Sequence, residues 1–240
     1  MKSHKITTKL HGHTQTAADK DTREQLLDAA TALFAEQGIS STTVAQIAEH
    51  VGVTPAMIHY YFKTRYQLLD TIIEERIDRI IAFVWNPIAE GEDDPLTLIQ
   101  GLVRRIIQVS DEYPWLPQLW IREIVCDGGL MREKVLGRIP VEKHKQFAEC
   151  ITLGQKQGVV NPDIDPRLLH MSIIGLMMLP LATTKIWNRM PALAGLNKDD
   201  LARHVIALTL HGLNNHTPGS AGQAPRLITV DGAGRAPQCF

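Results

Sequence analysis

The segment from Thr43 to Arg65 constrains the fold more than any other part of the chain, because it contains two closely spaced helix starts. Thr43 and Gln46 have the spacing of a capping box, in which each side chain binds the backbone N–H of the other residue. Gly52 suits the left-handed turn after a helix, and Thr54–Pro55 is an N-cap followed by proline at the first helical position. The segment therefore predicts two short helices joined by a tight turn.

The second of these helices is short enough to enter a DNA major groove. Its periodicity places Ile58 and Phe62 against the core and leaves five side chains outside. The outward-facing residues are Pro55, Ala56, Met57, His59 and Tyr60. A third helix is predicted to start at Thr64, so that Lys63 and Arg65 stand at a helix N-terminus, where backbone N–H groups favour an anion such as phosphate.

The composition allows a full hydrophobic core but does not by itself indicate a nucleic-acid partner. The chain has 240 residues, 44% of them hydrophobic, and its 25 Lys and Arg are matched by 26 Asp and Glu. A net charge near zero gives no overall attraction to phosphate. The three cysteines are widely spaced and include no C-x-x-C pair, which argues against a disulfide scaffold or a zinc site. We therefore expect a cytoplasmic protein without a bound metal or other cofactor.

Residues 1–20 are predicted to form a flexible basic arm, and they lack the apolar core of a signal peptide. His4, His11 and His13 lie in this arm, but a mobile segment lacks the fixed geometry of a metal site. Neither a nucleophile elbow nor a phosphate-cradling glycine loop occurs in the sequence. We therefore expect no catalytic residues and no enzyme activity.

Helical periodicity runs through most of the chain, and no alternating strand pattern is bracketed by hairpin turns. The predicted class is all-α. Helix starts are expected near Thr22, Thr43, Thr54, Thr64, Asp94, Trp115, Leu130, Asp165 and Lys198. The helix from Thr64 is expected to run through Phe83 and to connect two domains, and Pro140 should kink or break a later helix near Ile139.

The predicted domain organisation has four parts. It consists of the flexible basic arm (1–20), a three-helix unit with a helix-turn-helix (21–66), a larger helical domain (67–215) and a disordered tail rich in Gly, Pro, Ala and Ser (216–240).

Residues 22–70 closely resemble the DNA-binding domain of TetR-family transcriptional regulators. The resemblance rests on LLDAATALFAEQG, TTVAQIAEHVGV and TPAMIHYYFKTRYQLL, which occur in this order and at the family's distances. It implies a helix-turn-helix formed by residues 43–60, with Thr54–Tyr60 as the recognition helix. It also implies a following helical domain for ligand sensing and dimerisation, and residues 80–214 resemble the family only in their helical layout.

The resemblance further implies roles for individual residues. Positions that reach base edges in such proteins are occupied here by Pro55, Ala56, Met57, His59 and Tyr60. Positions that contact phosphates are occupied by Thr43, Thr54, Tyr61, Lys63 and Arg65. Many members carry a small or basic residue in place of Pro55, glycine in place of Ala56 and tyrosine in place of His59, so their operator contacts do not transfer. The apolar front of this helix predicts contact with thymine methyl groups and recognition of DNA shape.

A ligand pocket is predicted in the larger domain, because aromatic and apolar residues with a few polar groups recur there. The expected lining is Trp85, Ile106, Trp115, Trp120, Glu123, Ile124, Phe147 and Met178. Ordinary core packing is the alternative interpretation of each tryptophan. The expected ligand is a small apolar or aromatic effector.

A dimer interface is predicted in the run 168–184, which carries no formal charge if His170 is neutral. The run is short for a membrane span and contains Gly175 and Pro180, so a buried interface is the preferred interpretation and no membrane partner is expected. With the last helix it would form a four-helix contact between two copies, as the resemblance implies. The central residues are predicted to be Ile173, Leu176, Leu201, Val205 and Leu208.

The residue patterns and the resemblance together predict a homodimeric DNA-binding regulator, a repressor that binds a palindromic operator and releases it when an effector binds. Two alternatives from other classes remain open. An architectural or cell-division factor bound to DNA would act through protein contacts and would lack an effector cavity. A helical enzyme would need a titratable cluster in the larger domain, for which only Glu123, His144 and His170 are candidates.

Overall fold

The computed structural model describes residues 17–85 and 94–213, and within these ranges the chain is helical and contains no strand. Its twelve described α-helices are α1 (Ala17–Gln37), α2 (Val44–Val51), α3 (Pro55–Phe62), α4 (Arg65–Ile72), α5 (Asp78–Trp85), α6 (Pro95–Glu112), α7 (Leu116–Trp120), α8 (Arg132–Leu136), α9 (Val141–Lys156), α10 (Pro166–Ala182), α11 (Thr184–Trp187) and α12 (Lys198–Leu213). Two π-helical segments, Ile73–Ile77 and Ile121–Val125, follow α4 and α7, and a short 3₁₀ turn spans Pro191–Leu193. The all-α prediction is confirmed.

The capping residues read from the sequence explain where α2 and α4 begin. The Thr43 hydroxyl accepts the Gln46 N–H at 3.2 Å, and the Gln46 side chain accepts the Thr43 N–H at 2.8 Å. The Thr64 hydroxyl accepts the Gln67 N–H at 3.1 Å. Each bond satisfies a backbone N–H that a helix start otherwise leaves unpaired. Both predicted helix starts are confirmed.

The first helix begins at Ala17, before its predicted start at Thr22. The preceding residues, Ala-Ala-Asp-Lys-Asp, include no proline or glycine, so nothing in the sequence ends the helix at Thr22. Residues 17–20 are therefore helical and do not belong to the predicted arm. Residues 1–16 and the predicted tail, 216–240, lie outside the described residues.

Pro140 breaks the chain's helical course where the sequence predicts. Helix α8 ends at Leu136, and α9 begins at Val141, directly after the proline. Proline lacks the N–H that a helix interior needs, and its ring collides with the preceding turn. The break separates α8 from α9 and lets Arg138 pair with Asp78 of α5.

A continuous helix from Arg65 to Trp85, here called the bridge helix, consists of α4, the π-helical segment Ile73–Ile77 and α5. One face is buried along its whole length, through Leu68, Leu69, Ile72, Ile73, Ile77, Ile80, Val84 and Trp85. Helices α1, α2 and α3 form a three-helix unit that packs on its first part. The bridge helix therefore joins this unit to the larger domain, as predicted.

Helices α1 to α3 contribute buried apolar side chains to the continuous core of the protein. Leu26, Leu27 and Phe34 of α1 are fully buried, and Ile58 and Phe62 of α3 are 1% and 3% exposed. Burial of side chains of this size contributes about 1.5–3 kcal/mol each. The inward-facing residues that helical periodicity predicted for α3 are confirmed, and its opposite face is left to solvent.

The larger domain packs α6, α7, α9, α10 and α12 around one continuous core. Its fully buried residues include Ile99, Leu102, Phe147, Ile151 and Met177. None of the helices within residues 17–85 and 94–213 has the length and apolar character needed to cross a membrane.

Candidate functional site

The outer face of α3 presents most of the predicted base-reading side chains to solvent. Pro55, Ala56 and His59 are exposed, and 56% of Tyr60 is accessible. Met57 is half-buried. The face thus combines apolar surface at the helix start with polar, flat side chains one turn later, which suits contact with base edges in a groove.

The His59 ring is oriented by a hydrogen bond to its own helix end. Its Nδ1 lies 3.0 Å from the carbonyl oxygen of Lys63. Because a carbonyl only accepts, Nδ1 must carry the hydrogen and donate it, and in the neutral ring Nε2 is then an acceptor. An acceptor in the major groove pairs with the amino group of adenine or cytosine.

The turn between α3 and α4 is strained at Lys63. This residue has φ 56° and ψ −55°, and it is the one non-glycine residue with positive φ among those that the structure describes. The Thr64 N–H donates to the Phe62 carbonyl at 2.5 Å across it, which closes a three-residue turn. Strain of this kind clusters at functional sites. Here it places the start of α4 directly beside the end of α3.

Most of the predicted phosphate-contacting residues lie at helix starts. Thr43 caps α2, and Thr54 precedes α3 without a hydrogen bond from its side chain to the helix. Lys63 is exposed next to α4, and Arg65, its first residue, has a buried Nη2 without a hydrogen-bond partner within residues 17–85 and 94–213. Tyr61 differs, because it is half-buried against the core. Backbone N–H groups at such starts favour phosphate oxygens.

Three ion pairs attach α1 to the bridge helix. Arg23 binds Glu75 through bonds of 2.9 and 2.5 Å, and Arg76 binds Glu24 at 2.6 Å and Asp28 at 3.0 Å. The hydrogen bond from Arg23 lowers the pKa of Glu75 below its usual value. All of these groups are partly exposed, so each pair contributes only about 0–1 kcal/mol. Their main effect is to set the orientation of α1.

An aromatic cluster with two histidines lies where α5, α9 and α10 meet. Trp85 stacks on His144 at a ring distance of 4.0 Å, and His170 meets His144 edge-on at 4.2 Å. Phe147 lies 6.5 Å from Trp85. Burial, with a smaller contribution from His170, lowers the pKa of His144 to about 4, and burial also lowers the pKa of His170. Both rings are therefore neutral at neutral pH.

The buried Nε2 of His144 has no hydrogen-bond partner in the described part of the chain. A cavity of about 340 Å³ lies beside Trp85 of this cluster. It is bounded by Asp78, Ile81, Ala82, Trp85, Arg138, Pro140 and Lys143. The cavity has the size of a small-molecule site. Its wall combines apolar side chains with the charged groups of Asp78, Arg138 and Lys143, which suits a compound with an apolar part and a polar or charged group.

The predicted pocket residues do not all surround one cavity. Trp85 and Phe147 belong to the aromatic cluster. Ile106, Ile124 and Met178 are buried in the core, and Trp115 and Trp120 are half-buried against it. His144 and His170 were predicted only as candidates for the enzyme alternative and not as pocket residues. The i, i+3 spacing of His144 and Phe147 puts both side chains on one face of α9, and this spacing could have assigned His144 to the pocket.

Glu123 is not the free polar group of a pocket, so that part of the prediction is wrong. Its side chain is only 5% exposed, and its two oxygens accept the N–H groups of Ile39 at 2.9 Å and Leu130 at 3.1 Å. A buried carboxylate needs such donors, and these two backbone groups supply them. Glu123 therefore connects the turn after α1 to the loop before α8.

Helices α10 and α12 expose a broad apolar surface, here called the α10–α12 surface. Leu168, Met171 and Leu179 of α10 are 57%, 62% and 58% exposed, and Leu208 of α12 is 50% exposed. Apolar patches of this kind mark interaction sites on soluble proteins.

The predicted interface residues divide between this surface and the core. Leu176 is 36% exposed, Leu208 is exposed, and Leu201 is half-buried. Ile173 and Val205 are 0% and 1% exposed within the protomer, so they cannot contact a partner and their assignment is corrected. In a helix that is apolar on all sides, periodicity does not distinguish the side that faces the core from the side that faces a partner.

A helix-turn-helix unit joined through a long helix to a larger all-helical domain is the architecture of a class of DNA-binding regulators. The family model described as bacterial regulatory proteins, tetR family, matches residues 26–72. The model of the tetracyclin repressor-like C-terminal domain matches residues 95–208. The two matches cover most of the described chain, including both domains.

Curated relatives agree with the family matches. The HTH-type transcriptional repressor KstR2 of Mycobacterium tuberculosis (strain ATCC 25618 / H37Rv) is 23% identical over 151 residues, which cover 63% of this chain and 75% of that protein. The HTH-type transcriptional regulator RutR of Escherichia coli (strain K12) is 28% identical over 156 residues, which cover 63% and 69%. The chain therefore belongs to the TetR family of transcriptional regulators.

Solved structures show the same fold. The ketosteroid transcriptional regulator KstR2 of Mycobacterium tuberculosis superposes with a TM-score of 0.65 at 21% identity, covering 80% of this chain and 94% of that one. AibR in complex with isovaleryl coenzyme A and operator DNA superposes with a TM-score of 0.61 at 18% identity, covering 78% and 97%.

The family matches indicate a DNA-binding regulator rather than an enzyme. Among the residues that the structure describes, no group of three or more His, Cys, Asp or Glu side chains is arranged to hold a metal ion.

Replacing Lys63 with glycine should separate strain from phosphate binding. Glycine adopts positive φ without a steric cost, so Lys63→Gly should stabilise the fold by about 0.5–1 kcal/mol. Loss of the predicted phosphate contact of Lys63 should weaken binding to all DNA sequences and reduce the salt slope by about 0.9. Thermal unfolding and DNA titrations over a range of salt concentrations measure the two effects.

Lys63→Ala is the matched control for this prediction, because it removes the same charge but keeps a Cβ at positive φ. It should lose DNA affinity equally and gain no stability. Equal stability of the glycine and alanine variants would show that the Lys63 backbone is not strained.

Proposed function

We propose that the protein is a homodimeric transcriptional repressor that releases a roughly palindromic DNA operator when a small effector binds. The observation that carries the proposal is the solvent-facing side of α3, with Tyr60 and His59 exposed beside the helix starts at Thr43 and Arg65. Relatives that are named transcriptional repressors support the direction of regulation. A regulator of this kind acts in the cytoplasm, where the DNA is.

In this proposal α3 enters the major groove and the helix starts hold the flanking phosphates. Pro55, Ala56 and Met57 contact thymine methyl groups, while His59 and Tyr60 bind polar base edges. Phosphate contacts fix the register but carry no sequence information. Specificity therefore depends on α3, and most of the affinity depends on residues such as Lys63 and Arg65.

Selection of bound fragments from random DNA tests this function directly. The purified protein should enrich a consensus with two inverted half-sites whose centres lie about one helical turn, roughly 34 Å, apart. Failure to enrich any sequence would contradict the proposal.

Two alanine variants should separate base recognition from phosphate binding. Tyr60→Ala should weaken binding to the selected operator by roughly 1–3 kcal/mol and relax its specificity, because a base contact is lost. Arg65→Ala should weaken binding to operator and random DNA alike and flatten the salt dependence. Fluorescence anisotropy with both DNAs measures the difference, and an equal loss on both DNAs for Tyr60→Ala would contradict its role as a base reader.

The homodimer is proposed to form through the α10–α12 surface. Two copies of α10 and α12 would pack as a four-helix contact and cover the leucine and methionine side chains that a monomer exposes. A Cβ added at Gly175 would meet no neighbouring atom within 4 Å in the described part of the chain, so a second helix can approach closely there. Leu176, Leu201 and Leu208 of the predicted set remain part of this proposal.

Charges introduced on this surface should prevent dimerisation. Met171→Glu combined with Leu208→Glu should yield folded monomers that bind the operator far more weakly, because two carboxylates would be buried without partners. The matched control replaces two leucines of similar exposure elsewhere, Leu136→Glu with Leu153→Glu, and should remain dimeric. Analytical ultracentrifugation measures both, and a dimer that survives the first pair of changes would place the interface elsewhere.

The effector is proposed to bind in the larger domain at the cavity beside Trp85. Trp85 forms the aromatic part of the cavity wall, beside the charged groups of Asp78, Arg138 and Lys143. His144, which stacks on Trp85, has a buried nitrogen without a hydrogen-bond partner among the described residues. These features favour a small apolar or aromatic compound with one polar group. The structural relative AibR was solved with isovaleryl coenzyme A and operator DNA, which supports an effector-controlled regulator of this fold.

Effector binding is proposed to act through the bridge helix, because α5 lines the cavity and α4 contacts α1. A ligand that binds better to one tilt of this helix shifts the population of that tilt and changes the separation of the two DNA-binding units. A change of a few ångströms suffices to spoil the fit to two half-sites about 34 Å apart.

Effector binding should depend on Trp85. In a thermal-shift screen of flat apolar compounds and acyl coenzyme A esters, a true effector should raise the melting temperature of the wild type and lower its operator affinity. Trp85→Ala should abolish both effects. Trp187→Ala, at the half-buried tryptophan that lines a separate cavity of about 420 Å³ with Leu179 and Leu201, should retain them. An effector that lowered operator affinity without changing the distance between the DNA-binding units would contradict the mechanism. A complete absence of ligand stabilisation would favour the architectural alternative, which no present observation supports.

A further inference from the structure

Glu123 joins the DNA-binding unit to the larger domain through its two carboxylate oxygens. Oε1 accepts the N–H of Ile39, which lies in the turn between α1 and α2, at 2.9 Å. Oε2 accepts the N–H of Leu130, in the loop before α8, at 3.1 Å. The side chain is 5% exposed and Ile39 is 2% exposed, so water does not compete for these bonds. One buried side chain therefore connects backbone groups of both domains.

The neighbouring residue strengthens this connection at the same end of α1. Arg122 donates from Nη2 to the carbonyl oxygen of Glu36, in the last turn of α1, at 3.1 Å. A cation is favourable there because the carbonyl groups at a helix C-terminus are unpaired. Gly38 has φ +91°, and a Cβ at this position would lie 3.4 Å from Arg122 and 3.5 Å from Glu123. The turn after α1 thus packs directly on these two side chains.

The backbone behind Glu123 is held equally closely by the larger domain. A Cβ on Gly129 would lie 2.1 Å from the Glu123 carbonyl oxygen, so only glycine fits there. Arg132 donates to the carbonyl oxygens of Ile124 at 2.9 Å and Val125 at 2.8 Å, at the end of the π-helical segment that contains Glu123. Such π-helical turns are frequent at functional sites. Glu123 therefore moves with the loop and π-helical segment around it.

Helix α1 is consequently attached to the larger domain and to the bridge helix at opposite ends. Arg23 and Glu24, near its N-terminal end, bind the bridge helix, while the turn after its C-terminal end binds Glu123. If only the bridge helix changed its tilt, the contact between Glu123 and the turn after α1 would oppose the movement of α1. The orientation of α3 therefore depends on both contacts.

We propose that Glu123 is a positioning residue that holds the DNA-binding unit in its operator-binding orientation and transmits movement of the π-helical segment Ile121–Val125 to α2 and α3. The proposal rests on the proposed function, since it assigns Glu123 to the regulation of that same DNA-binding unit. The bridge helix gives one path between the larger domain and the DNA-binding unit. Glu123 gives a second path, through α7 and the turn at Ile39.

The test replaces Glu123 with glutamine, which keeps the size of the side chain but leaves only one acceptor oxygen for two N–H groups. In full-length protein without its native cysteines, spin labels at Glu49→Cys on α2 and Gln146→Cys on α9 report the distance between the two domains within one protomer. Doubly labelled protein is diluted with unlabelled protein to suppress signals between protomers.

Glu123→Gln should broaden this distance distribution and accelerate hydrogen exchange at the Ile39 amide. Affinity for the selected operator should fall about tenfold, the effect of one lost hydrogen bond, while affinity for random DNA stays unchanged.

Glu133→Gln makes the same charge change at an exposed site on α8 and should alter none of these measurements. A lower melting temperature of Glu123→Gln with an unchanged distance distribution and unchanged operator affinity would overturn the proposal, because Glu123 would then only stabilise the fold.

If Glu123→Gln does not fold, Arg122→Met provides a second test, because it removes the exposed neighbouring contact to Glu36. Arg122→Met should broaden the distance distribution to a smaller extent, and no broadening would equally overturn the proposal. The distance measurement needs no DNA, so it remains decisive if the wild type selects no operator and the proposed function fails.

Discussion

The packing of α1 across the start of the bridge helix holds the DNA-binding unit in place, and the geometry of the recognition surface depends on it. Leu26, Leu27 and Phe34 of α1 are fully buried in the core, and each contributes about 1.5–3 kcal/mol. The partly exposed ion pairs between α1 and the bridge helix contribute only about 0–1 kcal/mol each. Apolar burial therefore supplies the stability, and the ion pairs select one orientation among those that the apolar surfaces allow.

The recognition surface combines elements that fold locally with one backbone position that does not. Caps at Thr43 and Thr64 favour their helices in any context, because they satisfy N–H groups at a helix start. The left-handed conformation of Lys63 has no such local cause and persists only because α3 and α4 are both held against the same core. The stability of the core thus maintains the strained turn that places two cationic side chains beside α3.

Much of the fold was predictable because the signals are local. Aspartate or threonine caps, Gly52 and Pro140 define helix ends through backbone chemistry that acts within a few residues. The failures have equally definite causes. The start of α1 at Ala17 was missed because Thr22 fits a cap as well as it fits a helix interior. The orientation of Ile173 was missed because α10 is apolar on all sides, so its sequence does not indicate which side faces the core.

By itself, the sequence determined the helical class, most of the helix boundaries, the helix-turn-helix and most of the residues that α3 turns outward, because each follows from caps, turns and periodicity within a short segment. Only the tertiary structure decided the role of Glu123, the cluster of Trp85 with two histidines, and which side of α10 remains exposed. Glu123 and Ile39 are 84 positions apart, and the partner of the carboxylate is a backbone N–H, which every residue except proline carries. A contact of that kind leaves no pattern in the sequence and exists only once the domains have packed.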